Sequence, residues 1–420
     1  MAEPARESVH AAAPAPGAMA VDIEERVNFT RLHGYRLRRA REALERSELG
    51  ALLCFDCNNI RYLTSTAIGE WSRDKLTRYA LLARGAEPVV WDFGSAAVYH
   101  RLHSPWIEPE NSKPAVTTMR GAVSPDAALP EQLAAEIAGL LSDAGVAGMP
   151  VGIDLLDPPT LFALQRAGVD VRDGQQVMLD ARQLKSNDEI MLLSRAAAMV
   201  DGAYQSVAEA LKPGVRENDI VALVNRILYE MGSDDVESVN AVSGERCVPH
   251  PHNFSDRIIR PGEQAFFDVM HAFNGYRTCY YRSFSVGYST PAQRDAYQRA
   301  REWMDSAIAL VKPGVTTDEI ARLWPTAQDI GLASEREAFG LQFGHGLGLA
   351  LHERPIISRL VSLEHPMEIQ TGMVFALETY CPATDGRSAA RIEEEVVVTD
   401  AGPQVITLFP AQELFVTNPY

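Results

Sequence analysis

Two histidines seven residues apart, His345 and His352 in FGHGLGLALHE, are poorly explained by packing, because the first stands between glycines that let backbone approach something bulky. Carboxylates lie on either side of them in the chain. Glu378 sits in MVFALETY, Glu393 in ARIEEEVVVTD and Asp268 in QAFFDVM, each an apolar run that reads as a β-strand. A carboxylate in an otherwise apolar strand is costly unless it is paired or bound to a metal. The three runs together therefore predict one shared polar site.

The elements that must position these residues fall into two domains. A helix is expected over Phe29 to Ser47, then a strand at ALLCF and another at RYLTS. RYALLARG and EPVVWDFG read as a hairpin turning at Gly85, Ala86 and Glu87. A helix from Leu129 to Ala144, a strand at PVGID and a helix in LDPPTLFALQRAG complete an α/β domain over 22–185, preceded by a disordered or extended tail at 1–21. The boundary falls in LDARQLKS, before a long amphipathic helix that begins at Asn187. The remainder, 186–420, carries an internal repeat. LKPGVRENDI starts at Leu211 and VKPGVTTDEI at Val311, and each lies between helix-like segments. Strand runs lie between and after the two copies, so a pseudo-symmetric sheet covered by paired helices would bring residues of both halves to a central cleft.

Composition narrows the function. With 420 residues and 46% hydrophobic content the chain can fill two cores. A net charge of −17 without a Lys/Arg-rich run argues against nucleic acid. No apolar stretch approaches the roughly 20 residues that cross a bilayer, and the Ala/Pro-rich start lacks the apolar core of a signal peptide. A cytoplasmic location is the resulting expectation. Five cysteines, an odd number, imply reduced thiols, and the CxxC of Cys54 and Cys57 has no second CxxC to complete a zinc site.

The order Asp268, GHGLG with His345 and His352, Glu378, and Glu393 in RIEEEVVVTDAG resembles the pita-bread superfamily, peptidase family M24, of methionine aminopeptidases, aminopeptidase P, prolidase and creatinase. The 22–185 domain and the RQLKSNDEI linker are similar to those of its prolidase and creatinase branch. The resemblance implies a creatinase-type α/β domain followed by an α+β pita-bread catalytic domain with an internal pseudo-two-fold repeat. It also implies a homodimer in which the N-terminal domain of one subunit covers the other's cleft, so Trp71 and Arg73 in GEWSRDK are expected to contact substrate as a lid. Metallopeptidase members hold two divalent ions with two Asp, a His and two Glu. By motif position these are Asp268, His345, Glu378 and Glu393, while Cys279 in GYRTCYYRSF stands where the bridging second Asp belongs.

Three readings of that site are open. In the first, Cys279, His345 and Glu393 bind one metal, zinc or iron before manganese, with Asp268 or Glu378 nearby. In the second no metal binds, and histidine and glutamates act as acid and base as in creatinase, whose hairpin shares the Gly-Tyr start, the Thr and Arg282. In the third the fold is an inactive binding module. Asp268 departs from the creatinase pattern, and Tyr281 stands where creatinase offers a substrate-binding Glu. VPHPHNFSDRIIRPGE supplies two candidates for a further catalytic histidine, His250 and His252, with His250 favoured because it follows Pro249. His352 reads as a hydrogen-bond donor to substrate, and Arg282 as facing a partner carboxylate or an anionic substrate group. The function these residues imply is hydrolysis of a C–N bond in a small amide, imide or N-substituted amino acid. An Xaa-Pro dipeptidase and a lyase of the dimethylsulfoniopropionate type are the alternatives.

Overall fold

A computed structural model describes residues 27–73 and 75–419, so the expected tail at 1–21 lies outside the described residues. The chain divides into two compact units that meet between Arg182 and Gln183.

The N-terminal unit opens with helix α1 (Phe29–Arg46), capped by the Asn28 side chain and burying Leu32, Ala40, Ala43 and Leu44. Strands β1 (Ala51–Cys54), β2 (Tyr79–Ala83), β3 (Val89–Phe93), β4 (Ser112–Ala115), β5 (Val151–Ile153) and β6 (Val171–Asp173) form one sheet in the order β4-β3-β2-β1-β5-β6. The hairpin at Gly85 forms as the sequence predicts, with Leu81 opposite Val89. Helices α2 (Cys57–Thr64), α3 (Ser95–His103), α4 (Leu129–Asp143), α5 (Pro158–Arg166) and α6 (Gln175–Arg182) complete the unit. One expectation fails here: RYLTS is not a strand but the end of α2. The Asp56 carboxylate accepts hydrogen bonds from the backbone N–H groups of Asn58 and Asn59, and this cap starts a helix that buries Ile60 and Leu63 together. Cys54 and Cys57 are free thiols at the end of β1 and the start of α2.

The C-terminal unit begins with α7 (Asn187–Ala210), started by a capping box of Ser186 and Glu189. Then come α8 (Glu217–Glu230), β7 (Asp235–Ser243), β8 (Gln264–Phe273) and β9 (Tyr276–Val286). After them follow α9 (Pro291–Leu310), α10 (Thr317–Ala321), α11 (Glu335–Ala338), β10 (Phe343–Gly346), β11 (Glu353–Ile357), β12 (Val374–Pro382), β13 (Ala389–Thr399), β14 (Gly402–Val405) and β15 (Phe415–Thr417). Two sheets result, β15-β9-β8-β7 and β11-β10-β12-β13-β14.

The repeat is visible bond by bond. In each copy the Pro-Gly turn places glycine in the left-handed region, Gly214 at φ +95° and Gly314 at φ +89°. Gly214 N–H then donates to Ile259 C=O and Gly314 N–H to Ile369 C=O, both at 2.9 Å. The returning bonds, Ile259 N–H to Val215 C=O and Ile369 N–H to Val315 C=O, are both 2.8 Å. The two sheets meet where β9 runs against β13: the Ser283 hydroxyl donates to Arg391 C=O and accepts from Arg391 N–H. The C-terminal unit is an α+β pita-bread fold, and it follows the α/β N-terminal unit in the chain. Among the described residues no helix is long and apolar enough to cross a membrane.

Candidate active site

Strand register assembles the site. In the first sheet Asn240 lies opposite Asp268, which lies opposite Tyr281. In the second, Phe343 lies opposite Glu378, which lies opposite Glu393. The period of two puts Cys279 and Tyr281 on one face of β9, and Arg391 and Glu393 on one face of β13. β10 holds His345 between β11 and β12 in a space without room for side chains next to it. A Cβ on Gly346 would fall 2.2 Å from Arg354 C=O, which is why glycine flanks this histidine.

The side chains converge in a buried cluster. Cys279 Sγ is 3.4 Å from Asp268 Oδ1 and 4.0 Å from Glu393 Oε2. His345 Nε2 is 3.6 Å from Glu378 Oε1 and 3.8 Å from Glu393 Oε1. These two separations are too long for hydrogen bonds, and both His345 Nε2 and Glu393 Oε1 are buried with no hydrogen-bond partner. Asp268, by contrast, accepts from Asn240 Nδ2 at 3.1 Å. Glu378 Oε2 is held by the Arg391 guanidinium, which also lies 4.1 Å over the Tyr281 ring.

Burial is the main force on every charge here. It raises the carboxyls of Glu378 and Glu393, with Arg391 pulling both back down, and lifts Asp268 to about 6. Burial, then Asp268 and Glu393, push the Cys279 thiol well up. Burial and then His352 lower His345 to about 3, so its imidazole is neutral and ready to act as a ligand.

A divalent cation would resolve this arrangement. Cys279 Sγ and the ligand atoms of His345 and Glu393 all lie within 4.8 Å of one another, and among the described residues no other such group is found. Two of the three residues carry the orphaned atoms, which would cost free energy unless something bound them. Thiolate with imidazole and carboxylate is a donor set for zinc or iron rather than for magnesium or calcium. The residues present therefore fit one ion.

The predicted proton carriers surround the cluster. His250 Nε2 is 2.8 Å from Tyr281 Oη, which Asn240 Nδ2 also meets at 3.1 Å. Burial and Arg391 lower His250 far enough to keep it neutral. The His252 ring lies tilted beside it at 4.0 Å between centroids and makes no hydrogen bond to Tyr281 among those observed, so of the two it is His250 that reaches this hydroxyl. His352 is solvent-exposed with its ring 4.4 Å from that of His345.

Of the remaining predicted residues, one turns away from the cluster. Arg282 turns to the opposite face of β9, where its guanidinium reaches Glu394 Oε2 at 2.9 Å and Phe409 C=O at 3.0 Å, so of its two expected roles it takes the protein carboxylate. Trp71 and Arg73 belong to the N-terminal unit. There Trp71 is half exposed against Phe93, and Arg73 pairs with Glu70 at 3.1 Å. Sequence reasoning missed Arg391 and Asn240. Strand parity could have found the first, since Arg391 stands two residues before Glu393, and Asn240 is a polar residue in the apolar run SVNAVSG.

The profile of metallopeptidase family M24 matches residues 191–400. An uncharacterized peptidase of Bacillus subtilis is 31% identical over 55% of this chain, a match that spans only 64% of that relative. A probable dipeptidase of Mycobacterium tuberculosis, PepE, is 30% identical over 66% of this chain and 73% of its own length. Dimethylsulfoniopropionate lyase of Roseovarius nubinhibens is 24% identical over 91% of this chain and 87% of its own. Among solved structures, dipeptidase PepE of Mycobacterium ulcerans superposes with a TM-score of 0.74 at 24% identity, covering 93% of this chain and 99% of its own, a likeness of fold.

Proposed function

Because the chain belongs to metallopeptidase family M24, we propose that it hydrolyses a C–N bond in a small amide substrate: a short peptide, an imide or an N-substituted amino acid. The observation that carries this reading is the buried set of Cys279, His345 and Glu393, whose donor atoms converge while two of them lack any protein partner. One zinc or iron ion is assigned to these three residues, and when bound it supplies Lewis acidity toward a carbonyl or a water.

The chain's own residues supply the rest. Glu378, its Oε2 fixed by Arg391 so that Oε1 faces the cluster, serves as general base in its ionised form, which the Arg391 guanidinium favours against burial. Neutral His250 exchanges a proton through Tyr281 Oη, and Asn240 orients that hydroxyl. His352, at the solvent edge, donates to the oxygen on which charge develops. The surrounding apolar strands exclude water from competing hydrogen bonds. The active particle is a homodimer in which Trp71 and Arg73 of one subunit border the other's cleft. Arg73→Ala should then raise KM severalfold for an anionic substrate, and an unchanged KM removes the lid.

A second reading has its own support: the likeness to the lyase runs through almost the whole chain. The same base would then remove a proton from carbon without adding water. Turnover in ¹⁸O-water separates the two. The purified enzyme, with its metal counted, is offered Xaa-Pro and other dipeptides, creatine-like compounds and dimethylsulfoniopropionate. Hydrolysis places one ¹⁸O in a product and elimination places none. Turnover of the sulfonium compound without label would overturn the proposal.

A further inference from the structure

We infer that the buried ion pair of Lys185 and Glu353 is a positioning device for His352. Lys185 Nζ lies 3.0 Å from Glu353 Oε2, and both side chains are about 1% exposed. Neither residue belongs to the Cys279 cluster. Glu353 is the first residue of β11 and follows His352 directly, so whatever fixes its carboxylate fixes the backbone that presents the imidazole.

The carboxylate does two jobs. Oε2 takes the ammonium, while Oε1 accepts Ala350 N–H at 3.1 Å and closes the turn that carries His352. Gly348 makes room for this: a Cβ there would lie 2.5 Å from Glu353 Oε2, so any other residue at that place would push the carboxylate aside from its position under the loop. The far side of the turn is tied to β9, where Arg277 N–H donates to Gly348 C=O at 2.8 Å and the Arg277 guanidinium reaches Leu349 C=O. Lys185 is itself anchored, its N–H donating to Gly372 C=O at 2.8 Å and Nζ approaching Gln183 C=O at 3.4 Å. A lysine fixed to the framework thus holds, through one carboxylate, a loop whose exposed histidine has no such anchor of its own among the bonds observed.

An ion pair that served stability alone could be replaced by apolar side chains of similar size without harm, since removing both charges leaves none uncompensated. That supplies the test, which rests in its kinetic arm on the hydrolase reading above. Wild type, Lys185→Met and the double variant Lys185→Met with Glu353→Leu are compared for melting temperature, metal content, kcat and KM, and for the rate at which diethyl pyrocarbonate modifies His352, read by peptide mass spectrometry. Lys185→Met should melt lower. The double variant should recover most of that loss and keep its metal, yet retain a kcat at least tenfold down with KM nearly unchanged, and His352 should be modified severalfold faster. Lys185→Arg, which preserves the charge, should restore both the slow modification and kcat. Recovery of kcat and of slow modification together with melting temperature in the double variant would make the pair merely structural and overturn the inference. The labelling arm needs no substrate, so an enzyme that hydrolyses nothing on the panel would sink the proposed function while His352 labelling still decides this one.

Discussion

β13 buries charge on both of its faces, and the two faces are finished differently. On one side Glu394 meets Arg282 at 2.9 Å, Arg301 at 2.9 Å and the Thr407 hydroxyl, and both of its oxygens are bonded. On the other, one residue earlier, Glu393 keeps Oε1 without a hydrogen-bond partner beside His345 Nε2, which has none either. Adjacent glutamates in one strand, both under 5% exposed, thus differ in whether the protein satisfies them. A charge buried for architecture is closed off by its neighbours. A buried charge left open beside an equally unpartnered imidazole is the arrangement expected of a group that serves chemistry, which the variants below test.

Breaking the open side should cost activity far more than stability. His345→Ala is expected to lower kcat/KM by about a thousandfold or more, equivalent to roughly 4 kcal/mol of transition-state stabilisation, and to empty the metal site, with the melting temperature of the metal-free protein little changed. Elemental analysis and calorimetry read the two halves of that statement. Cys279→Ser should also lose metal, because a hydroxyl is a poor substitute for thiolate toward zinc or iron. If His345→Ala retained full activity, the assignment of the site would be wrong.

Breaking the closed side should do the reverse. Glu394→Leu leaves the buried Arg282 uncompensated, and removing one partner of such a pair typically costs about 3–5 kcal/mol. For a unit of this size that corresponds to a fall of about 10 °C in melting temperature. The metal bound per folded molecule should not change, which elemental analysis of the surviving protein checks.

The contrast between the faces also explains what could be read from the sequence. Asp268 and Glu378 were legible because each is one carboxylate in an apolar strand, Glu393 through the motif RIEEEVVVTDAG that carries the family resemblance, and His345 because glycine on both sides marks a crowded backbone. The repeat was legible because KPGV occurs twice and needs its glycine in the same left-handed turn. Arg282 was assigned a choice of partners that parity alone narrows: it alternates with Tyr281, so it cannot share the face of Cys279. Arg391 is inconspicuous in the sequence because it begins a charged run, RIEEE, where no single charge stands out. The short run RYLTS could be strand or helix end by composition, and a cap five residues upstream decided it.

The smallest expected effect tests the open face through pH. Glu395, on the same face of β13 as Glu393, accepts hydrogen bonds from the Thr278 hydroxyl at 2.6 Å and Cys279 N–H at 2.8 Å, while burial raises it to about 8. A carboxyl whose folded pKa lies above its unfolded one contributes stability that is full below about 4.5 and is lost as pH rises through about 8. His345 works in the opposite sense. Lowered to about 3, it makes the protein more stable as pH rises from there to its unfolded value of 6.5, where its contribution levels off. Between pH 6.5 and 8 the carboxyls act alone, so the melting temperature of the metal-free protein should fall there by a few degrees, on the order of one to two kcal/mol for a unit of this size. Glu395→Gln, which keeps an oxygen for both donors, should flatten that slope. Metal should flatten it too, by stabilising the ionised carboxylates around it. A slope identical in wild type, the Gln variant and the metal-loaded protein would mean that Glu395 is ionised throughout and the face is better satisfied than its orphaned atoms indicate.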